Sequence, residues 1–124
     1  MIKKIIFLTG TRADFGKMKS IILRLKKNNL FNVEIFVTGM HLMRRYGSTV
    51  EEIRKSGIKN FSTFVNQKVN EQMDISLSNT IRGFSSFVRK SKPDLIVVHG
   101  DRLEALAGAI VGLFDNILVA HIEG

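Results

Sequence analysis

The sequence predicts an α/β fold: a Rossmann-like parallel sheet in strand order 3-2-1-4-5, with helices on both faces. Three observations carry this. Short unbroken apolar runs, Ile5-Ile6-Phe7-Leu8 and Leu95-Ile96-Val97-Val98, read as strands buried on both faces. Other segments place apolar residues at helical spacing; Met73, Leu77, Ile81, Phe84 and Val88 share one face. The two kinds of segment alternate as βαβαβαβαβ, with no internal repeat or low-complexity stretch, and successive parallel strands need such crossovers.

Taken in order, residues 3–8 are the expected first strand. Residues 9–16 are expected as a loop in which Gly10 and Gly16 permit tight turns or close approach to a ligand. A helix is expected over 17–28, with Met18, Ile21, Ile22 and Leu25 as its apolar stripe. A loop feeding a helix N-terminus favours phosphate, and Lys17 would stand in the first turn. The second strand is expected over 32–38, ended by Gly39-Met40-His41, with a helical turn near 42–46. Ser48-Thr49-Val50-Glu51 reads as a capping box opening a helix that stops at Gly57. Residues 60–65 are a weaker third strand, and 67–72 are polar and expected to be mobile.

The long helix from Met73 is expected to turn its stripe into the core, and Pro93 closes it. Strand four leads into the turn His99-Gly100-Asp101 and then a helix over 102–114. Asp101 could cap that helix, with Glu104 three residues on completing a capping box. Gly108 and Gly112, four apart, suit close helix packing. A fifth strand over 117–120 leads to His121-Ile122-Glu123-Gly124.

The bulk properties suit one small domain. The chain has 124 residues, 44% hydrophobic and 24% charged. No apolar run approaches a membrane span and the N-terminus lacks a signal-peptide pattern, so no membrane partner and a cytoplasmic location are expected. With no cysteine, disulfides and thiolate metal sites are excluded. The formal net charge of +8 suits an anionic ligand such as a phosphate or nucleotide. Nucleic acid is not expected, because the basic residues are scattered, tryptophan is absent and tyrosine is single.

In the order 3-2-1-4-5, strands one and four flank the topological switch point, where open α/β sheets bind ligands. Arg12, the pair Asp101-Arg102, and Glu123 would then share one rim. Arg12 and Arg102 can form forked hydrogen bonds to phosphate oxygens, and Lys17 adds a point charge. Asp101 and Glu123 are two carboxylates on neighbouring strand ends, suited to acid/base work on a ligand held by the cations. Simpler readings stand beside these: Arg12 pairing with Asp14 or Asp101, Glu123 solvated, Asp101 a cap. His99 and His121 read as positioning their turns, with no third ligand at metal-binding spacing, and His41 is a weaker candidate at another strand end.

Gly10-Thr11-Arg12-Ala13-Asp14-Phe15-Gly16-Lys17, His99-Gly100-Asp101-Arg102-Leu103-Glu104-Ala105-Leu106-Ala107 and His121-Ile122-Glu123-Gly124 resemble the UDP-N-acetylglucosamine 2-epimerase family. More narrowly they resemble its hydrolysing branch, which makes N-acetylmannosamine for sialic and related nonulosonic acids. Non-hydrolysing members usually show Gly-Thr-Arg-Pro-Glu and His-Gly-Asp-Thr-Thr at these places, and this chain departs from both. The resemblance implies the N-terminal half of a GT-B-type two-domain fold, with substrate in the cleft between domains. It implies a fragment of a longer, homo-oligomeric parent, since a further Glu, a His and most of the nucleotide pocket would lie beyond residue 124. It implies UDP-N-acetylglucosamine as substrate and no cofactor. Asp101 and Glu123 would belong to the acid/base set, and Arg12, Gly16, Lys17 and Arg102 to the nucleotide-sugar site. The alternatives are a non-hydrolysing or GDP-sugar 2-epimerase, and the N-terminal half of a GT-B glycosyltransferase. A receiver-like domain would want an acidic pair after strand one, and residues 9–11 offer none.

Overall fold

A computed structural model describes residues 1–39, 49–68 and 70–123. The elements follow as β1 (Lys3–Thr9), α1 (Arg12–Lys26), β2 (Phe31–Val37), α2 (Thr49–Lys55), β3 (Phe61–Thr63), α3 (Met73–Ser91), β4 (Leu95–His99), α4 (Leu103–Phe114) and β5 (Leu118–Ile122). The five strands form one parallel sheet in the order β3-β2-β1-β4-β5, as the alternation of elements predicts. The expectations for the turn near 42–46, for Ser48 and for His41 lie outside the described residues.

Strand residues alternate between the two faces, so each central strand feeds two cores. Ile5, Phe7, Val33, Ile35, Val37 and Val97 pack on one face with Phe15, Met18 and Ile22 of α1 and Ile53 of α2. Ile6, Leu8, Phe36, Ile96 and Val98 pack on the other with Phe84 and Val88 of α3 and Ala105 and Val111 of α4. Phe36 anchors an aromatic group there, its ring centroid 5.1 Å from that of Phe84 and 5.0 Å from that of Phe87. Gly108 and Gly112 let α4 lie against the sheet: a Cβ on either would fall within 2.5 Å of Val98 or Val119 side-chain atoms.

Two local expectations are corrected. α1 begins at Arg12 rather than residue 17, because the Thr11 side chain accepts from the Asp14 N–H while Asp14 accepts from the Thr11 N–H, a reciprocal cap. Gly16 is therefore inside a helix and Lys17 lies in its second turn. The buried face of α3 is Ser76, Thr80, Phe84 and Val88, while Met73 is exposed. The buried edge is polar because its groups are partnered: Thr80 Oγ1 donates to Ser76 O at 2.6 Å and accepts from Asn66 Nδ2 at 2.7 Å. In the polar stretch before α3, Glu71 accepts from Ser76 Oγ at 3.2 Å and Asn79 Nδ2 at 3.3 Å.

Candidate functional site

The carboxyl ends of β1, β4 and β5 form one rim, and two histidines lace the last two together. A carbonyl oxygen only accepts, so His121 Nε2 donates to Gly100 O at 2.5 Å. The Gly100 N–H in turn donates to Ile122 O at 2.9 Å, and Gly100 has φ of +77°, a conformation glycine adopts without a Cβ clash. His99 Nε2 lies 2.5 Å from Glu123 Oε2, so each strand-end histidine holds the turn after the other strand.

Glu123 itself has φ of +53°. A left-handed backbone is unfavourable for a residue with a Cβ, and here it accompanies a side chain turned back toward β4. Lys17 Nζ of α1 stands 3.7 Å from Glu123 Oε1, joining the β1 end to the same cluster. The His99 hydrogen bond and then the Lys17 charge lower the Glu123 pKa below the ordinary glutamate value. Glu123 is thus an ionised acceptor at neutral pH.

Asp101 is exposed, and the cap reading of it fails: α4 starts at Leu103 with Arg102 as N-cap and no side-chain cap bond. Asp101, Arg102 and His121 border a groove of about 260 Å³ between α4 and the end of β5. Arg102 donates from Nε to Glu104 Oε1 at 3.2 Å. Arg12 pairs with neither Asp14 nor Asp101; its guanidinium sits 3.2 Å from Glu52 of α2, with 71% of the side chain exposed. Asp14 is buried and instead accepts from Thr9 Oγ1 and from the Gly10 N–H. A Cβ at Gly16 would meet nothing within 4 Å, so this chain's own packing does not require glycine there.

The rim therefore joins Lys17, His99 and Glu123 by contact, sets Asp101 and Arg102 with His121 along a separate groove on the α4 side, and leaves Arg12 on an outward-facing ion pair. Such a set can hold an anion and exchange a proton next to it. Among the described residues, no group of three or more His, Asp or Glu side chains is placed to hold a metal ion, and no helix is long and apolar enough to cross a membrane. A second cavity, about 250 Å³ between Val88, Arg89, Lys92, Pro93, Asp115 and Ile117, lies at the opposite, amino-terminal edge of the sheet.

A family model described as UDP-N-acetylglucosamine 2-epimerase matches residues 23–124. The chain belongs to the UDP-N-acetylglucosamine 2-epimerase family. It is 43% identical over 123 residues to a UDP-N-acetylglucosamine 2-epimerase of Neisseria meningitidis serogroup B, covering 99% of this chain and 33% of the relative. It is 38% identical to a UDP-N,N'-diacetylbacillosamine 2-epimerase (hydrolyzing) of Legionella pneumophila, covering 100% of this chain and 34% of the relative. The crystal structure of a UDP-GlcNAc 2-epimerase from Neisseria meningitidis bound to UDP-GlcNAc superposes with a TM-score of 0.83 at 27% identity, over 98% of this chain and 32% of that one. The chain thus spans about a third of the length of the relatives it matches.

Sequence reasoning missed one part of this epimerase-family rim. Glu104, read as the far end of a capping box, is 2% exposed and points inward, 3.3 Å from Asn66 Nδ2. Asn66, also buried, accepts the Gly39 N–H at 2.8 Å and donates to Thr80 Oγ1 at 2.7 Å. A helical-position carboxylate with an arginine two residues before it is the available signal, but it does not distinguish a cap from a buried ion pair.

Proposed function

We propose that a protein of the relatives' length carrying this chain is a hydrolysing UDP-N-acetylglucosamine 2-epimerase, with residues 1–124 forming the N-terminal wall of its cleft. It would convert UDP-N-acetylglucosamine and water to N-acetylmannosamine and UDP. The observation that carries this reading is the cluster of Glu123 with Lys17 and His99 where β1, β4 and β5 end, with Asp101 and Arg102 on the turn that follows β4. A base takes the proton from carbon 2 of the sugar as the bond from carbon 1 to the diphosphate oxygen breaks, and UDP departs. That proton is poorly acidic, so cations that stabilise the charge gathering on the diphosphate lower the barrier. Water then adds to the glycal: hydroxyl at carbon 1 and a proton on the opposite face of carbon 2. Glu123, unprotonated beside His99 and Lys17, is available as a proton acceptor in this reaction. Arg12, Gly16, Lys17 and Arg102 would face the nucleotide sugar, Arg12 exchanging Glu52 for phosphate oxygen.

A second reading concerns the sugar only. The hydrolysing Legionella relative is named for UDP-N,N'-diacetylbacillosamine, which favours that nucleotide sugar as the competing substrate. Assay of both sugars separates the two.

The test is Asp101→Asn and Glu123→Gln in the full-length protein. Because Asp101 makes no cap bond, Asn there should leave the fold unchanged. Asp101→Asn is expected to keep the wild-type melting temperature and Glu123→Gln to stay folded with a lower one, because it loses the His99 and Lys17 contacts; both are expected to lose about 10²-fold or more in UDP release, together with solvent deuterium incorporation at carbon 2. Full activity with normal incorporation would remove the altered carboxylate from proton transfer.

A further inference from the structure

The buried carboxylate of Glu104 has no place in the chemistry above. It lies under the ends of β1 and β2, where two glycines make room for it. A Cβ at Gly10 would stand 2.5 Å from Glu104 Cδ, and one at Gly39 would stand 2.9 Å from Glu104 Oε2. Two partners reach it, the Asn66 amide at 3.3 Å and Arg102 Nε at 3.2 Å. Gly39 has φ of +66°, and its N–H bonds to the same Asn66 that faces Glu104. Three strand ends thus close around one anionic group.

An amide would satisfy Asn66 as well as a carboxylate does. The charge answers Arg102, the one cation paired with Glu104 among the described residues. A buried charge is costly unless paired, so the Glu104–Arg102 pair is held in a fixed geometry by the dense surroundings of the carboxylate. The contact uses Nε, on one edge of the guanidinium. The two terminal nitrogens remain, on a side chain 38% exposed and bordering the groove shared with Asp101. An arginine fixed at Nε presents its remaining donors in one plane without the entropy cost of ordering a free side chain.

We propose that Glu104 is a positioning residue that, braced by Asn66, Gly10 and Gly39, aims Arg102 at the diphosphate of the ligand. This rests on the nucleotide-sugar reading above. Glu104 does not touch the ligand; it acts through Arg102.

The experiment is a double-mutant cycle on UDP binding, read by titration calorimetry in the full-length protein, with melting temperatures alongside. Arg102→Ala is expected to weaken UDP binding about tenfold or more, the scale of one charge-assisted contact. Glu104→Gln is expected to weaken it severalfold, and to add nothing in the Arg102→Ala background. Arg102→Lys keeps the charge beside Glu104 but lacks the oriented fork, and is expected to bind UDP as poorly as Arg102→Ala while staying folded. Because this variant leaves Glu104 paired, it tests the idea even where Glu104→Gln fails to fold. A wild-type protein that binds no UDP would sink the nucleotide-sugar reading and this one with it. Wild-type binding with unaltered affinity in Arg102→Lys, or an equal Glu104→Gln loss with and without Arg102, would overturn the positioning role alone.

Discussion

At the residue scale, Glu123 and Gly16 carry the most testable consequences. Glu123 has its pKa lowered first by the His99 hydrogen bond and then by Lys17. A group with a lowered folded pKa adds stability above its unfolded value and loses that contribution as the pH falls through the folded one. His99→Phe should therefore raise the Glu123 midpoint toward the ordinary glutamate value by more than Lys17→Met does. Carboxyl chemical shifts followed through an acid titration read this directly; equal shifts would overturn the ranking of the two contacts, and no shift in either variant would mean that neither contact persists in solution. Gly16 lies in the interior of α1 with open space where its side chain would be. Alanine there should stabilise the fold by about 0.5–1 kcal/mol. If the ligand approaches that face, the same methyl group should weaken UDP binding, so a higher melting temperature with poorer UDP affinity is expected. Both residues stand out in the sequence by type and position. Their environments do not, because His99 and Lys17 are distant in the chain from Glu123.

At the element scale, the start of α1 and the start of α4 make an instructive pair. Each offers the same local pattern, a small polar residue followed three positions later by a carboxylate: Thr11 with Asp14, and Asp101 with Glu104. The first is a working cap and the second is not. Local spacing makes a cap possible in both. At α4 the carboxylate finds Arg102 and Asn66 instead, and Asn66 comes from a segment that spacing within the helix cannot reveal. Thr11→Ala should cost about 1 kcal/mol through the lost cap, measured by denaturant unfolding. It should also loosen the Lys17–Glu123 contact, since Lys17 rides on that helix. An unchanged unfolding midpoint would mean that Asp14 alone secures the helix start. On α3 the apolar stripe is correctly read as helical, but its buried edge is shifted by one position toward Ser76 and Thr80. Periodicity gives a face, whereas the width of that face in contact depends on how closely the neighbours approach.

At the scale of the whole molecule, the sheet presents one rim of charged groups, with the ends of β1, β4 and β5 gathered on it. The relatives are about three times as long as this chain, and the substrate reading places the ligand in a cleft with a second wall. Residues 1–124 by themselves are accordingly expected to release no UDP from UDP-N-acetylglucosamine under conditions where the full-length protein turns over. Robust release by the 124-residue chain would show that one wall suffices and that the proton-transfer groups are all within it.

The sequence by itself determined the strand count and order, the two-faced core and the family. Those follow from apolar periodicity and from motifs whose residues are neighbours in the chain. It also determined which residue types reach the rim, since strand ends in a parallel sheet all lie on one side. Only the tertiary structure decided which of them meet: Lys17 with Glu123, His99 with Glu123, Arg102 with a buried Glu104, and Arg12 turned outward to Glu52. Pairings of that kind depend on the angle of each side chain and on what already fills the space beneath it, and neither quantity is written in residue spacing.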